Sequence, residues 1–182
     1  MSDARRSSSS LGPSARELWI SAELHADDLI RTLRDRLYRG YFGAPNNYDR
    51  VDPHLTVHPG VVADRDTAVT ARQIAERLVG EHVYVRGLDV YPGRANPGVI
   101  MLDADVAVDL ESVRERVENA VTTCGGKVTR EPVPAHITLF KRERGDTLDG
   151  LPSGIHPGQC GGWSTPVTSI RLIDHNGGER VA

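Results

Sequence analysis

Two short segments carry residues suited to phosphoryl chemistry. They read Pro53-His54-Leu55-Thr56-Val57 and Ala135-His136-Ile137-Thr138-Leu139. Each motif is His, aliphatic, Thr, aliphatic. Side chains alternate between the faces of a strand, so His54 and Thr56 share one face and Leu55 and Val57 the other. The same holds for His136 and Thr138 against Ile137 and Leu139. The aliphatic residues would anchor each strand in a core and leave the polar pairs on a cleft. Histidine, with an ordinary pKa of about 6.5, acts as base or acid near neutral pH. Two histidines flanking a phosphorus permit in-line attack by water and departure of a sugar oxygen. Threonine hydroxyls can donate to the non-bridging oxygens, where charge accumulates. Such a scheme uses no metal and no cofactor.

The elements around these motifs are readable from periodicity. Glu17–Leu24 alternates as a first strand. Asp27 or Asp28 caps a helix to Arg39, with Leu29, Ile30, Leu33 and Leu37 at helical spacing and Gly40 as its stop. Residues 41–52 form a loop rich in Gly, Pro and Asn. His54–Val62 is a strand starting after Pro53. Asp66–Val79 is a second helix, carrying Val69, Ile74 and Leu78, and Gly80 ends it. His82–Val90 and Val99–Asp103 are strands with a loop between them. Asp109–Cys124 is a third helix, stopped by Gly125-Gly126. Ala135–Lys141 is the second histidine strand, residues 145–166 are a long loop, and Val167–Asp174 is a last strand.

This order repeats. Strand, helix and histidine strand occur at Glu17–Val62 and again at Val99–Lys141, with Trp19 to His54 and Ile100 to His136 spanning nearly equal lengths. Two matched units suggest an internal duplication whose histidine strands face each other about a pseudo-twofold axis.

Paired H-x-T-aliphatic motifs on two such units resemble the 2H phosphoesterase superfamily. The nearest resemblance is its LigT-like branch of RNA 2′,3′-cyclic phosphodiesterases, the 2′-5′ RNA ligase family. It covers about residues 16–175, and the separation of the two motifs is similar to that family's. The resemblance implies an α+β, duplicated bilobal LigT-like fold, with two antiparallel-leaning sheets and outer helices around a central cleft. It implies His54 and His136 as catalytic residues and Thr56 and Thr138 as phosphate-binding residues. It also implies hydrolysis of an RNA or nucleotide cyclic phosphate, with RNA processing as its setting. Many members carry a leucine-rich segment after the first motif; here it is His58-Pro59-Gly60. A basic residue often follows the second motif, and Lys141 and Arg142 stand near that place. Lys141 is therefore a further candidate phosphate contact, against the plainer reading of a solvated strand-end charge.

His58 lies four residues past His54 and shares its face if the strand runs on. It is read as a rim residue near the substrate. The alternative is a metal site of His54, His58 and His136, although no carboxylate in the strands completes it. His25, His82, His156 and His175 lack patterned partners. Tyr38, Tyr41, Phe42 and Tyr48 precede the first motif and are read as loop packing, with base stacking as the alternative. Arg31, Arg34, Arg36 and Arg39 read as a solvated helix face.

Composition bounds the rest. The chain has 182 residues and a net charge of −3, which argues against broad non-specific nucleic-acid binding but not against grip on one RNA end. Residues 1–15 read as a disordered tail with a serine run and no apolar signal segment, and 16–182 as one domain. Cys124 and Cys160 read as free thiols. The expectations are a cytoplasmic monomer without membrane association. Rival functions are a nucleotide- or RNA-binding module without turnover and a phosphodiesterase for another cyclic nucleotide.

Overall fold

The computed structural model describes residues 15–41, 52–91, 98–141, 156, 159–174 and 180–181. The strands are β1 (Arg16–Leu24), β2 (His54–Ala63), β3 (His82–Tyr91), β4 (Val99–Val106), β5 (Lys127–Val128), β6 (His136–Lys141), β7 (Trp163–Asp174) and β8 (Arg180–Val181). The helices are α1 (Asp27–Tyr41), α2 (Arg65–Ala75) and α3 (Leu110–Thr123), with a 3-10 turn at Glu76–Leu78. Asp64 caps α2 by accepting from the Thr67 amide, and Asp109 caps α3 by accepting from the Ser112 amide. Gly125, at φ +82°, lets the chain leave α3.

The strands pair antiparallel in the order β1-β2-β6-β4-β3-β7-β8, and β7 also pairs with β1. The ring β1-β2-β6-β4-β3-β7 is therefore closed, with β5 beside β2 and β8 beside β7. This differs from the expected pair of separate sheets. The cause is β7, which begins at Trp163 rather than Val167. Its first residues pair with β3 and its later ones with β1.

Nor do the two strand-helix-strand units stand as separate lobes. α1 packs on β6, the histidine strand of the second unit, and α3 packs on β2, that of the first. One continuous core results. It joins Leu18, Ile20 and Ala22 of β1, Leu55 and Val57 of β2, Ile100 and Leu102 of β4, and Ile137 and Leu139 of β6 to Ile30 and Leu37 of α1 and Val113, Val117 and Val121 of α3. α2 buries Ala68, Ala71 and Ala75, whereas Val69 is exposed. Small residues let that helix lie close to its neighbours.

Several boundaries shift from the sequence reading. α1 continues through Gly40 to Tyr41, and β4 runs on to Val106. The short strands β5 and β8 were not anticipated; neither has enough residues for an alternating pattern. The tail before residue 15, Phe42, Tyr48, Arg142, His175 and the side chains of Tyr38 and Tyr41 lie outside the described residues. No described helix is long and apolar enough to cross a membrane. Cys124 and Cys160 are exposed free thiols.

Candidate active site

The two motifs meet at the β2–β6 seam, where Leu55 pairs with Ile137. Antiparallel pairing then sets His54 opposite Thr138 and Thr56 opposite His136 on the face away from the core. The two histidines are diagonal neighbours across the seam, a relation that spans roughly 7–8 Å. All four polar side chains of the motifs are thus brought together, as the alternation predicts.

Both imidazoles are held alike. Nδ1 of His54 lies 2.8 Å from the carbonyl oxygen of Asp52, and Nδ1 of His136 lies 2.8 Å from that of Pro134. A carbonyl only accepts, so each Nδ1 carries its hydrogen and donates. In the neutral ring the lone pair is then on Nε2, which is the atom left for proton transfer.

The surroundings of the two rings differ. His54 is 9% exposed, with Trp19 of β1 lying nearly parallel to it, ring centroids 6.3 Å apart and planes 17° apart. Burial holds its pKa below the ordinary value. The bond to the Asp52 carbonyl opposes that shift, and the positive charges of Arg34 and His136 reinforce it. His136 is more open to solvent. In register, His54 stands opposite Glu23 of β1 and His136 opposite Asp103 of β4.

A charge network braces the first motif. The Asp52 carboxylate accepts from Arg31 at 2.6 Å and from Arg171 at 2.8 Å, and these cations hold its pKa below the usual carboxylate value. Arg171 also pairs with Glu23, which accepts from the Ser169 hydroxyl. Asp52 therefore places the carbonyl that orients His54.

His58 departs from the expected place. Ser21 pairs with Thr56 and Ile20 with His58, so Val57 is an extra residue in β2. This bulge resets the alternation. His58 turns to the Ile20 side and is fully buried, with Nε2 3.0 Å from Glu118 of α3 and Nδ1 accepting from the Gly60 amide. It neither rims the cleft nor joins His54 and His136 around an ion. Among the described residues no three His, Cys, Asp or Glu side chains form a metal-binding group.

A matching bulge lies at the end of the second motif. Met101 pairs with Thr138 and Ile100 with Phe140, making Leu139 the extra residue. Lys141, opposite Val99, is thereby returned to the Thr138 face and is exposed. Without the bulge it would point toward the core.

Sequence reading missed two buried arginines. Arg34 of α1 and Arg114 of α3 are each 2% exposed. Arg34 donates from Nε (3.2 Å) and Nη2 (2.8 Å) to the carbonyl oxygen of Thr138. Arg114 donates from Nε (2.8 Å) to that of Val57 and from Nη2 (3.4 Å) to that of Thr56. Arg34 had been read as part of a solvated face. Its place between Ile30 and Leu37, both buried, was the available signal.

The profile of the 2′-5′ RNA ligase superfamily matches residues 20–179. The chain belongs to that superfamily. Its fold is that of the LigT-like 2H phosphoesterases. The crystal structure of a phosphoesterase superposes with a TM-score of 0.55 at 19% identity, covering 88% of each chain. Escherichia coli LigT in its apo form gives 0.54 at 19% identity, over 88% of this chain and 87% of that one. LigT complexed with 3′-AMP gives 0.52 at 19% identity, covering 88% of each. At such identities the likeness to these structures speaks for the fold alone. No curated protein matches the chain by sequence.

Proposed function

We propose that the protein hydrolyses cyclic phosphodiesters, and that its substrate is an RNA end or nucleotide bearing a 2′,3′-cyclic phosphate. The observation that carries this reading is the paired geometry of His54 and His136. Each has Nδ1–H bound to the carbonyl two residues back, and both stand on one face with the two threonines.

In this reading one Nε2 takes a proton from water as the oxygen attacks phosphorus. The bond from phosphorus to one ribose oxygen breaks, and the other imidazolium returns a proton to that oxygen. The cyclic diester becomes a monoester, and the two histidines have exchanged protonation states. Thr56 and Thr138 donate to the non-bridging oxygens, and Lys141 adds positive charge at the rim. Two histidines and hydroxyl donors complete the scheme without a metal or cofactor. Joining two ends would use the same two histidines, with a hydroxyl of the second end attacking phosphorus in place of water and the same ribose oxygen leaving. The internal duplication, the cytoplasmic monomer and the role in RNA processing belong to the same proposal. LigT has been crystallised with 3′-AMP and with ATP, which supports a nucleotide-sized ligand.

The test is incubation with nucleoside 2′,3′-cyclic monophosphates and a short RNA ending in a cyclic phosphate, with EDTA present. Monoester product is expected. Nucleotide binding without product would instead favour a binding module, and activity recovered only with added zinc or manganese a metal enzyme.

A further inference from the structure

We propose that Arg34 and Arg114 are positioning residues for the two motifs, each reaching from the helix of one unit to the histidine strand of the other. Both histidine strands are bulged. In both motifs the extra residue is the aliphatic one after threonine, Val57 in β2 and Leu139 in β6. A bulge interrupts the ladder and leaves a carbonyl without its strand partner. The β2–β6 seam adds to the shortage, since Leu55 and Ile137 are its one pair among the described residues. Buried carbonyls need donors. The carbonyls of Thr138, Thr56 and Val57 receive theirs from guanidinium groups.

A guanidinium suits this task better than water. It is planar, carries five donors in a fixed fork and stays charged. Arg34 sets two donors on one carbonyl, and Arg114 spans two successive carbonyls while Nη1 pairs with Glu111 at 2.5 Å. Each arginine thus fixes the peptide that carries a catalytic threonine and, two residues back, a catalytic histidine. The crossing has a consequence. α1 sits between β1 and β2 in the chain yet clamps β6, and α3 clamps β2. Neither motif is held by its own unit alone.

Arg34 has a second effect. Its charge lies near His54 and favours the neutral ring, together with burial and His136. The other groups facing His54 are Asp52 before it, Glu23 and Trp19 on β1, and Arg171 of β7 through its bonds to Asp52 and Glu23. Arg114 does not act on His54; its charge acts on His58.

The kinetic arm of the test rests on the proposed hydrolysis, whereas the titration arm does not. Arg34→Lys, Arg34→Gln and Arg114→Gln are made in the full chain, and folding is checked by thermal melting. Imidazole titrations are followed by NMR. Arg34→Gln raises the His54 midpoint, Arg34→Lys leaves it near that of the unaltered protein, and Arg114→Gln raises only that of His58. On a cyclic phosphate substrate, all three lower kcat on the order of 10- to 100-fold with KM little changed, as expected for misplaced reacting groups. An unmoved His54 midpoint in folded Arg34→Gln, or unaltered kcat in any folded variant, overturns the proposal. If the glutamine variant does not fold, Arg34→Lys decides by its kcat. If the unaltered protein turns over no cyclic phosphate, the hydrolysis reading fails and the titrations still decide the role of Arg34.

Discussion

Leu55 and Ile137 face each other across the seam between the two histidine strands, and that pair sets the registration of the site. Both are fully buried. Shortening either removes apolar contacts and loosens the alignment of His54 with Thr138. Leu55→Ala is expected to destabilise the fold by roughly 2–5 kcal/mol, and Leu55→Met by less than about 1.5 kcal/mol. Chemical denaturation measures both. Equal stability for the alanine variant would show that the seam is not packed as described.

Thr56 and Thr138 are expected to act on the transition state rather than on binding. Removing one such donor costs about 10²–10³ in kcat where a preorganised hydroxyl stabilises developing charge. Thr56→Ala and Thr138→Ala should therefore lower kcat while KM changes little. Thr→Ser keeps the hydroxyl and should restore most of the rate.

Asp52 offers a separate test of how His54 is held. Asp52→Asn keeps the backbone carbonyl but weakens the pairs to Arg31 and Arg171. The peptide before His54 loses its anchor on both sides. A fall in kcat without loss of fold is expected from steady-state kinetics and circular dichroism. An unaltered kcat would leave Asp52 with a structural role only.

Acid should weaken the fold through two histidines. Burial lowers the pKa of both His54 and His58 below the ordinary 6.5, and Glu118 opposes the shift at His58. The unfolded chain therefore binds protons more readily at these sites. The stability they contribute is fully present above about 6.5 and is lost as pH falls through their lower folded values. Melting temperature should drop on acidification from neutral pH, and His58→Gln should drop less steeply. An identical pH slope in that variant would contradict the burial of His58 as a neutral ring.

The alternation of histidine and threonine with aliphatic residues carried the site, because a strand's period of two leaves little freedom about which face each residue takes. That rule also misplaced His58. One extra residue at Val57 turns His58 to the core side, and a second register shift before Val61 restores the original alternation. The same event at Leu139 placed Lys141 on the face of Thr138. Arg34 was misread because a charged residue between apolar ones on a helix usually points outward. Here the carbonyl of Thr138, on another strand and more than 100 positions away in sequence, receives it. Closure of the ring was equally hidden. β7 pairs with β1 and β3 through contacts distant in the chain, and its own alternation says nothing about its two neighbours.

The most direct measurement is the pH dependence of cyclic phosphodiester hydrolysis in EDTA for the unaltered protein, His54→Ala and His136→Ala. The two-histidine account predicts a bell-shaped kcat/KM profile, with one limb for the base and one for the acid. It also predicts that each alanine variant folds and loses nearly all turnover. Near-normal rates in either folded variant would contradict it.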